Sequence, residues 1–178
     1  DTTAPAIVIT YPANNSTTNQ KDLIVKYTVD GSPIEKTKSV TLTEGLNTIT
    51  IEDTDPAGNK GSSSITVTLN TSAPAGSISI NNASAYTNQA NVTLTLSASD
   101  PSGIDKMCFS NDNTTYSTAE AYSTAKSWTL ASGDAVKTVY AKFQNKLGTW
   151  SSVVSDTIIL DTTAPAIVIT YPANNSTT

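Results

Sequence analysis

The strongest constraint on the fold is a repeat, because the sequence begins and ends with the same eighteen residues. Residues 1–18 read DTTAPAIVITYPANNSTT, and residues 161–178 carry the same letters without a substitution. The two copies start 160 positions apart (161 − 1 = 160). Repetition at a fixed spacing is typical of arrays of similar modules, so we expect each copy to open a module of the same kind.

A weaker repeat divides the interval between the two copies. LNTSAP at 69–74 matches LDTTAP at 160–165, and each follows one alternating run and precedes another. We therefore predict module A over residues 1–69, module B over 70–160, and the start of the next module A over 161–178. We favour a long natural array, seen through a segment slightly longer than one period.

Apolar and polar residues alternate along both modules, and turn sequences such as Asp30-Gly31 and Asp55-Pro56-Ala57-Gly58 separate the runs. Alternation is typical of half-buried strands, and no stretch keeps a helical period. The sequence predicts an all-β chain: two tandem immunoglobulin-like antiparallel β-sandwich modules plus the first strand of a third. The predicted inward-facing residues are Leu23, Val25, Tyr27, Val29, Ile49, Ile51, Ile65, Val67 and Leu69 in module A, and Ile78, Ile80, Val92, Leu94, Leu96, Met107, Phe109, Trp128, Leu130, Val139, Ala141 and Phe143 in module B.

The composition excludes several classes of function. The 178 residues contain no histidine, all ten basic residues are lysine, and the formal net charge is −5. Without histidine the commonest general base and metal ligand are missing, and an acidic chain without arginine is a poor partner for nucleic acid. We expect no enzyme, no nucleic-acid partner and no membrane insertion in this segment. The absence of an initiator Met and of a signal peptide indicates a piece of a longer protein.

Several motifs resemble those of a known family. The linker at 160–165, TEGLNTITI at 43–51 followed by DTDPAGN at 53–59, and SWTL at 127–130 with KTVY at 137–140 are similar to tandem bacterial immunoglobulin-like (Big-type) domains. The resemblance implies a secreted or cell-surface protein in which such domains act as spacers, stalks or adhesive modules. It also implies calcium binding in some members.

An acidic cluster around Glu52 is the best candidate for such a calcium site, since calcium takes carboxylate and amide oxygens. The resemblance places the start of the chain near this final hairpin, so Asp1 joins the set, and Asp161 plays the same part for the next repeat. The tentative ligands are Asp1, Asp53, Asp55, Asn59 and Asp161. The alternative is that Asp55 only begins a turn and Asp53 is only solvated.

The single cysteine, Cys108, lies between Met107 and Phe109. If those two side chains point inward, strand alternation points Cys108 outward, where it is a candidate for an interchain disulfide or an idle thiol.

Glycosylation sequons are frequent in a chain this rich in Asn, Ser and Thr, and chance alone explains many of them. They fall at Asn14, Asn15, Asn70, Asn82, Asn91 and Asn113, of which Asn15, Asn82, Asn91 and Asn113 are the predicted acceptors.

The aromatic residues near predicted strand edges are candidates for a surface that stacks on sugars. They are Tyr11, Tyr86, Tyr116, Tyr122 and Trp150. This surface would belong to an accessory module binding carbohydrate or a host surface, which is the alternative function. The identical copies favour a structural repeat of a long extracellular protein instead, acting as a stalk, a spacer or the building block of a self-assembling fibre. Its partners are then neighbouring repeats of the same protein.

Overall fold

The structure is a computed structural model in which residues 2–168 are described. All of its regular elements are strands, as alternation predicts, and the long runs of β-branched residues explain why. The strands of module A are β1 (Ile7–Tyr11), β2 (Ser16–Thr18), β3 (Asp22–Val29), β4 (Lys36–Thr41), β5 (Gly45–Thr54) and β6 (Lys60–Leu69). Those of module B are β7 (Ala75–Ile80), β8 (Tyr86–Thr87), β9 (Asn91–Ser99), β10 (Ile104–Ser110), β11 (Glu120–Ala121), β12 (Ala125–Thr129), β13 (Ala135–Asn145) and β14 (Val154–Leu160).

Each module consists of two sheets. In module A the strand orders are β1-β3-β4 and β2-β6-β5, and in module B they are β12-β9-β7 and β11-β10-β13-β14-β8. The predicted all-β, immunoglobulin-like sandwich is therefore confirmed for both modules. Module B has two additional strands, β10 and β11, which extend the sheet beyond β13.

The sandwiches are not wholly antiparallel, contrary to the prediction. β2 runs parallel to β6, and β8 runs parallel to β14. The reason is that the opening stretch of each module pairs in one sheet and then crosses to the other. In module A the crossing follows β1 at a cis Tyr11–Pro12 bond.

The chain separates into two compact units. Unit 1 comprises Asp1–Pro74, Ser99–Asp105 and Gln144–Ser151, and unit 2 comprises Ala75–Ala98, Lys106–Phe143 and Ser152–Thr178. The predicted boundary at 69/70 thus falls a few residues before the boundary at Pro74, and two turns of the module B sequence cluster with unit 1.

Most residues predicted to point inward are buried. In module A the core contains Leu23, Val25, Leu42, Ile49, Ile51, Ile65, Val67 and Leu69, with Ile7, Ile9, Tyr27 and Val40 packed against it. In module B, Trp128 is only half-buried, because its indole packs on Phe109 at 5.5 Å while its Nε1 donates to Asn111 Oδ1 at 2.8 Å. Within residues 2–168 the structure holds no helix long and apolar enough to cross a membrane.

Two glycines allow close packing inside the sandwiches. A Cβ at Gly61 of β6 would clash with the carbonyl oxygen of Pro5, and one at Gly76 of β7 would clash with the ring of Phe143. Gly61 therefore lets the stretch before β1 lie directly against β6. This contact fixes the start of module A beside the hairpin that joins β5 and β6.

The predicted first strand of a third module is not seen in the described residues. Residues 161–168 contain no strand and are all exposed, and the remainder of the predicted strand, Ile169 and Thr170, lies outside the described residues.

Candidate functional site

The linker after module A is held by an acidic side chain. Glu44 lies in the turn before β5 and accepts hydrogen bonds from the Thr71 backbone N–H at 3.1 Å and from the Thr71 hydroxyl at 2.8 Å. One residue earlier, the Asn70 N–H donates to the Thr18 carbonyl oxygen at 2.8 Å, which continues the β2–β6 pairing into the linker. The first two linker residues are therefore fixed to module A.

The linker after module B is held in the same way. Asp134, directly before β13, accepts from the N–H and the hydroxyl of Thr162 at 3.0 and 2.7 Å, and from the Thr163 hydroxyl at 2.7 Å. The Asp161 N–H donates to the Thr87 carbonyl oxygen at 3.0 Å. Hydrogen bonds from the Thr163 and Thr162 hydroxyls lower the pKa of Asp134, so its charged form is the one that holds the linker.

A buried polar cluster distinguishes the first linker from the second. Asn70, 2% exposed, donates from Nδ2 to Asp100 Oδ1 at 2.7 Å, and Asn145, fully buried, donates to Asp100 Oδ2 at 3.3 Å. All three residues belong to unit 1. Burial alone would raise the pKa of Asp100, but hydrogen bonds from Ser102, Asn145 and Asn70 outweigh it and lower that pKa.

The hairpin turns of the two modules share one geometry. Asp55 Oδ1 accepts from the Asn59 N–H at 2.8 Å, and Asn145 Oδ1 accepts from the Thr149 N–H at 2.9 Å. In both turns the residue three positions on is a glycine with φ near +90°, Gly58 and Gly148. Asp55 and Asn145 thus occupy equivalent positions, and an uncharged amide performs the turn role as well as a carboxylate.

The structure brings part of the predicted calcium set together. Asp53 and Asp55 line one shallow cavity of about 200 Å³ with Pro5, Asp30 and Lys36, so the start of the chain does lie beside the hairpin. Lys36, which lines this cavity, forms an ion pair with Asp53, and the Asn59 amide donates to Asp55 Oδ2 at 2.8 Å.

These protein donors lower the pKa values of both carboxyls. Lys36 is the main cause for Asp53, and the Asn59 side chain is the main cause for Asp55. Among residues 2–168, no group of three or more acidic or cysteine side chains is placed to hold a metal ion. Asp161 lies at the other linker, and Asp1 lies outside the described residues. The calcium site stays a prediction.

The exposure predicted for Cys108 is wrong. Its side chain is 7% exposed, although Met107 and Phe109 are buried as expected. The residues after β10 fold back, since the Ser117 N–H donates to the Phe109 carbonyl oxygen at 2.8 Å, and Tyr116 then lies under Lys142 with the ammonium 4.3 Å from its ring centre. Both side chains interact electrostatically with Cys108, and burial raises the pKa of its thiol. A buried thiol does not reach a second chain, so the interchain disulfide loses its basis.

The sequons differ in exposure. Asn15, Asn82, Asn91 and Asn113 are exposed, and so is Asn14. Asn70 is buried with its amide bonded to Asp100, which makes it inaccessible to a glycosyltransferase. Glycosylation at the exposed positions stays a prediction.

The five candidate sugar-stacking aromatics divide between the units, with Tyr11 and Trp150 in unit 1 and the other three in unit 2. Two of them have internal roles. The Tyr122 hydroxyl accepts from the Ala98 N–H at 3.0 Å and its ring packs edge-on against Phe143, while Tyr116 lies under Lys142. Tyr86 and Tyr11 are the exposed ones, at 67% and 49%.

Sequence reasoning missed the residues that hold the linkers, namely Glu44, Asp134, Asp100 and Asn145. One signal for Glu44 and Asp134 was present, because each acidic residue sits at the turn that precedes the penultimate strand of its module. No local signal marked Asp100 and Asn145, because Asp100 meets Asn70 from 30 positions away and Asn145 meets Asp100 from 45 positions away.

The architecture defines both modules as immunoglobulin-like β-sandwiches. Among solved structures, the chain is similar to the Clostridium thermocellum CbhA fibronectin(III)-like modules, with 16% identity, a TM-score of 0.42, and coverage of 87% of this chain and 94% of that chain. It is also similar to a tetra-tandem repeat in the extending region of a large adhesion protein, with 16% identity, a TM-score of 0.33, and coverage of 89% of this chain and 49% of that chain. A third similarity is to dimeric latent PorU from Porphyromonas gingivalis, with 11% identity, a TM-score of 0.34, and coverage of 90% of this chain and 21% of that chain.

The chain therefore spans about half of the adhesion-protein chain and about a fifth of PorU. Similarities of this size concern the fold and carry no argument about function. No protein-family model matches the sequence, and no curated protein matches it at a significant level.

Proposed function

We propose that the chain is the structural repeat of a long extracellular protein, where it serves as a stalk or spacer or as the building block of a surface fibre. One observation carries this proposal. The opening segment, residues 1–18, is an integral part of module A, with Ile7 and Ile9 packed against the core. The same eighteen residues follow module B. Such a segment completes its fold when another module A follows it.

The two linkers support the proposal because they repeat one mode of attachment. Thr71 is held by Glu44 and Thr162 by Asp134, through a backbone and a hydroxyl hydrogen bond in each case. A proline follows three residues after each threonine, at Pro74 and Pro165, and restricts φ there. Firm attachment of each linker to the preceding module suits a protein whose modules have to stay in place when the chain is pulled.

The edge strands β4 and β5 of module A are protected against pairing with strands of other molecules. β4 and β5 are edge strands of different sheets, and lysines of β4 reach across to β5. Lys36 pairs with Asp53, and the Lys38 ammonium donates to the Thr50 carbonyl oxygen at 3.4 Å. Edge lysines oppose strand-to-strand association, and the net charge of −5 keeps neighbouring copies apart.

The proposal is tested by negative-stain electron microscopy of native material from the source cells. Long regular fibres whose period matches one 160-residue repeat would support the building-block form, and thin single tethers would support the spacer form. Detection of the chain only as part of a compact, non-repetitive protein would contradict both. The accessory-binding alternative gains no support from the aromatics, since Tyr116 and Tyr122 are engaged inside unit 2.

A further inference from the structure

The chain enters and leaves module A at opposite ends of β6. Pro5 lies against Gly61, the second residue of β6, so closely that a Cβ at Gly61 would clash with the Pro5 carbonyl oxygen. The chain leaves the module after Leu69, the last residue of the same strand. The strand spans roughly 30 Å, from about 3.3 Å for each residue. A force that pulls the chain on both sides of module A therefore acts along β6.

The opening segment meets β6 directly and in parallel. After pairing with β3 as β1, the chain crosses to the other sheet, where β2 pairs along its whole length with the end of β6. Backbone hydrogen bonds extend this pairing in both directions. The Asn15 N–H donates to the Thr66 carbonyl oxygen at 2.8 Å, and the Asn70 N–H donates to the Thr18 carbonyl oxygen at 2.8 Å. The first and last strands of module A are thus joined by backbone hydrogen bonds as well as by packing.

Two side chains reinforce the start of this contact. Asn14 Oδ1 accepts from the Thr66 N–H at 2.9 Å and from the Thr66 hydroxyl at 3.2 Å. The same hydroxyl lies closer to Asn15 Oδ1, to which it donates at 2.6 Å. We call the contact of residues 14–18 with residues 66–70 the clamp of module A.

The direction of the strands determines how this clamp responds to force. β2 and β6 run the same way, and tension pulls β6 from its C-terminal end and β2 from its N-terminal end. The two strands then have to slide lengthwise, so their hydrogen bonds are loaded together and break as a group. β1 lies lengthwise on β3, with Ile7 opposite Val29, and is loaded in the same way. Strands that are peeled apart from one end would instead lose their hydrogen bonds one at a time.

Module B contains a contact of the same kind. β8 runs parallel to β14, the strand from which the chain leaves the module. The Ile159 N–H donates to the Ala85 carbonyl oxygen at 3.0 Å, and the Asp161 N–H donates to the Thr87 carbonyl oxygen at 3.0 Å. We call this contact the clamp of module B. Each clamp lies within one unit, that of module A in unit 1 and that of module B in unit 2.

We propose that the two clamps are the barriers to mechanical unfolding of the array, so that each clamp has to break before its module extends under tension. The proposal rests on the proposed function and deepens it, because a stalk or fibre is a protein that is pulled along its chain. The crossing of the opening segment between the sheets supports it. Without this crossing, the strands by which the chain enters and leaves each module would lie in different sheets and share no backbone hydrogen bonds.

The test is single-molecule spectroscopy at constant force on a protein of several consecutive 160-residue periods. Asn14→Ala in every period removes the acceptor of the Thr66 N–H from the clamp of module A. The matched control is Asn47→Ala, which removes the acceptor of the Thr43 N–H, also at 2.9 Å, from the turn before β5. Module A steps are recognised by their contour length of about 240 Å, against about 320 Å for module B, from about 3.5 Å for each residue.

We expect Asn14→Ala to shorten the lifetime of module A under force by roughly tenfold, since its hydrogen bonds are lost in the transition state of mechanical unfolding. Asn47→Ala should change that lifetime by less than about twofold, because its contacts are still intact when the clamp breaks. Chemical denaturation should show that both variants lose equilibrium stability. An unchanged lifetime for Asn14→Ala, or equal shortening by both variants, would overturn the role of the clamp.

A milder variant covers the case in which Asn14→Ala does not fold. Asn15→Gly suits the positive φ of 62° at this position and removes the hydrogen bond from the Thr66 hydroxyl. It should also shorten the lifetime of module A, and an unchanged lifetime would count against the clamp. Failure of the clamp would leave the array of the proposed function standing, since microscopy of native material tests the array separately.

Discussion

Asn70 donates a hydrogen bond of 2.7 Å from its side-chain amide to the carboxylate of Asp100, and both are part of unit 1. The equivalent linker residue after module B is Asp161. A carboxylate has no proton to donate at neutral pH, so an Asp at position 70 could not make this contact as the Asn amide does. The difference between Asn70 and Asp161 therefore has a structural consequence.

Asn70→Asp should destabilise unit 1 by about 1–3 kcal/mol at neutral pH, because it replaces a buried donor by a second carboxylate beside Asp100. Chemical denaturation measures this loss. The exposed Asn88→Asp is the matched control and should change stability by less than about 0.5 kcal/mol. An unchanged midpoint for Asn70→Asp would show that the hydrogen bond to Asp100 contributes nothing.

The stability of the Asn70→Asp variant should depend on pH in the opposite direction to that of the natural chain. In the natural chain the pKa of Asp100 is lowered, so its stabilisation is present above the unfolded pKa of about 3.9 and is lost as the pH falls through the folded value. In Asn70→Asp, repulsion raises one carboxyl pKa above its unfolded value, so the variant should recover stability relative to the natural chain as the pH falls toward about 4. Asn70→Ala removes the donor without adding a charge and should show no such recovery.

Removal of the acidic residue that holds each linker should loosen that linker alone. Glu44→Ala should speed hydrogen exchange at the Thr71 amide, and Asp134→Ala should do so at the Thr162 amide, each by about tenfold for a lost hydrogen bond of roughly 1.4 kcal/mol. Glu52→Ala, an exposed change on β5, serves as the control. Equal protection of Thr71 and Thr162 in all three variants would contradict the proposed attachment.

Cys108 should be slow to react with thiol reagents in the folded protein. Burial and a raised pKa both reduce the thiolate that attacks, whereas unfolding exposes it. The rate of reaction with a disulfide reagent should therefore rise by orders of magnitude when denaturant is added. Rapid reaction of the native chain, or a disulfide-linked dimer without reductant, would show that Cys108 is accessible after all.

The predicted calcium site is tested by the melting midpoint of the chain with calcium and with chelator, and an unchanged midpoint would contradict it. The contacts already made by Asp53 and Asp55 within module A would have to be broken by a bound ion. An extracellular site with a dissociation constant near 1 mM would add about 1.4 kcal/mol at about 10 mM calcium. That would raise the midpoint by several degrees relative to chelator. A shift of this size would establish the site for which Asp1 and Asp161 are the remaining candidate ligands.

The fold could be predicted largely from alternation, and the exceptions have local causes. Leu23, Val25, Ile49 and Val67 are buried as their spacing predicts, since one face of each strand meets the opposite sheet. Cys108 follows the same rule, but the residues after β10 cover the outer face, and no periodicity predicts how a loop folds back.

The candidate site was harder to predict. The carboxylates near Asp53 suggested a metal by their types alone, whereas sequence does not show that Lys36 and Asn59 reach them. The contact between Asn70 and Asp100 depends on a tertiary arrangement that brings a linker to a distant turn. The repeat of residues 1–18 was the clearest signal, because identity does not depend on the fold.

Single-molecule force spectroscopy on a protein made of several consecutive 160-residue periods tests the central claim most directly. If each copy of the opening segment completes a module A, every period should unfold in two steps. Their summed contour length should be about 560 Å, from about 3.5 Å for each residue. If the number of unfolding steps grows by two with each added period, the result would support an array that resists force. Periods that extend without resisting force, or that leave the inner copies of the opening segment unfolded, would contradict it.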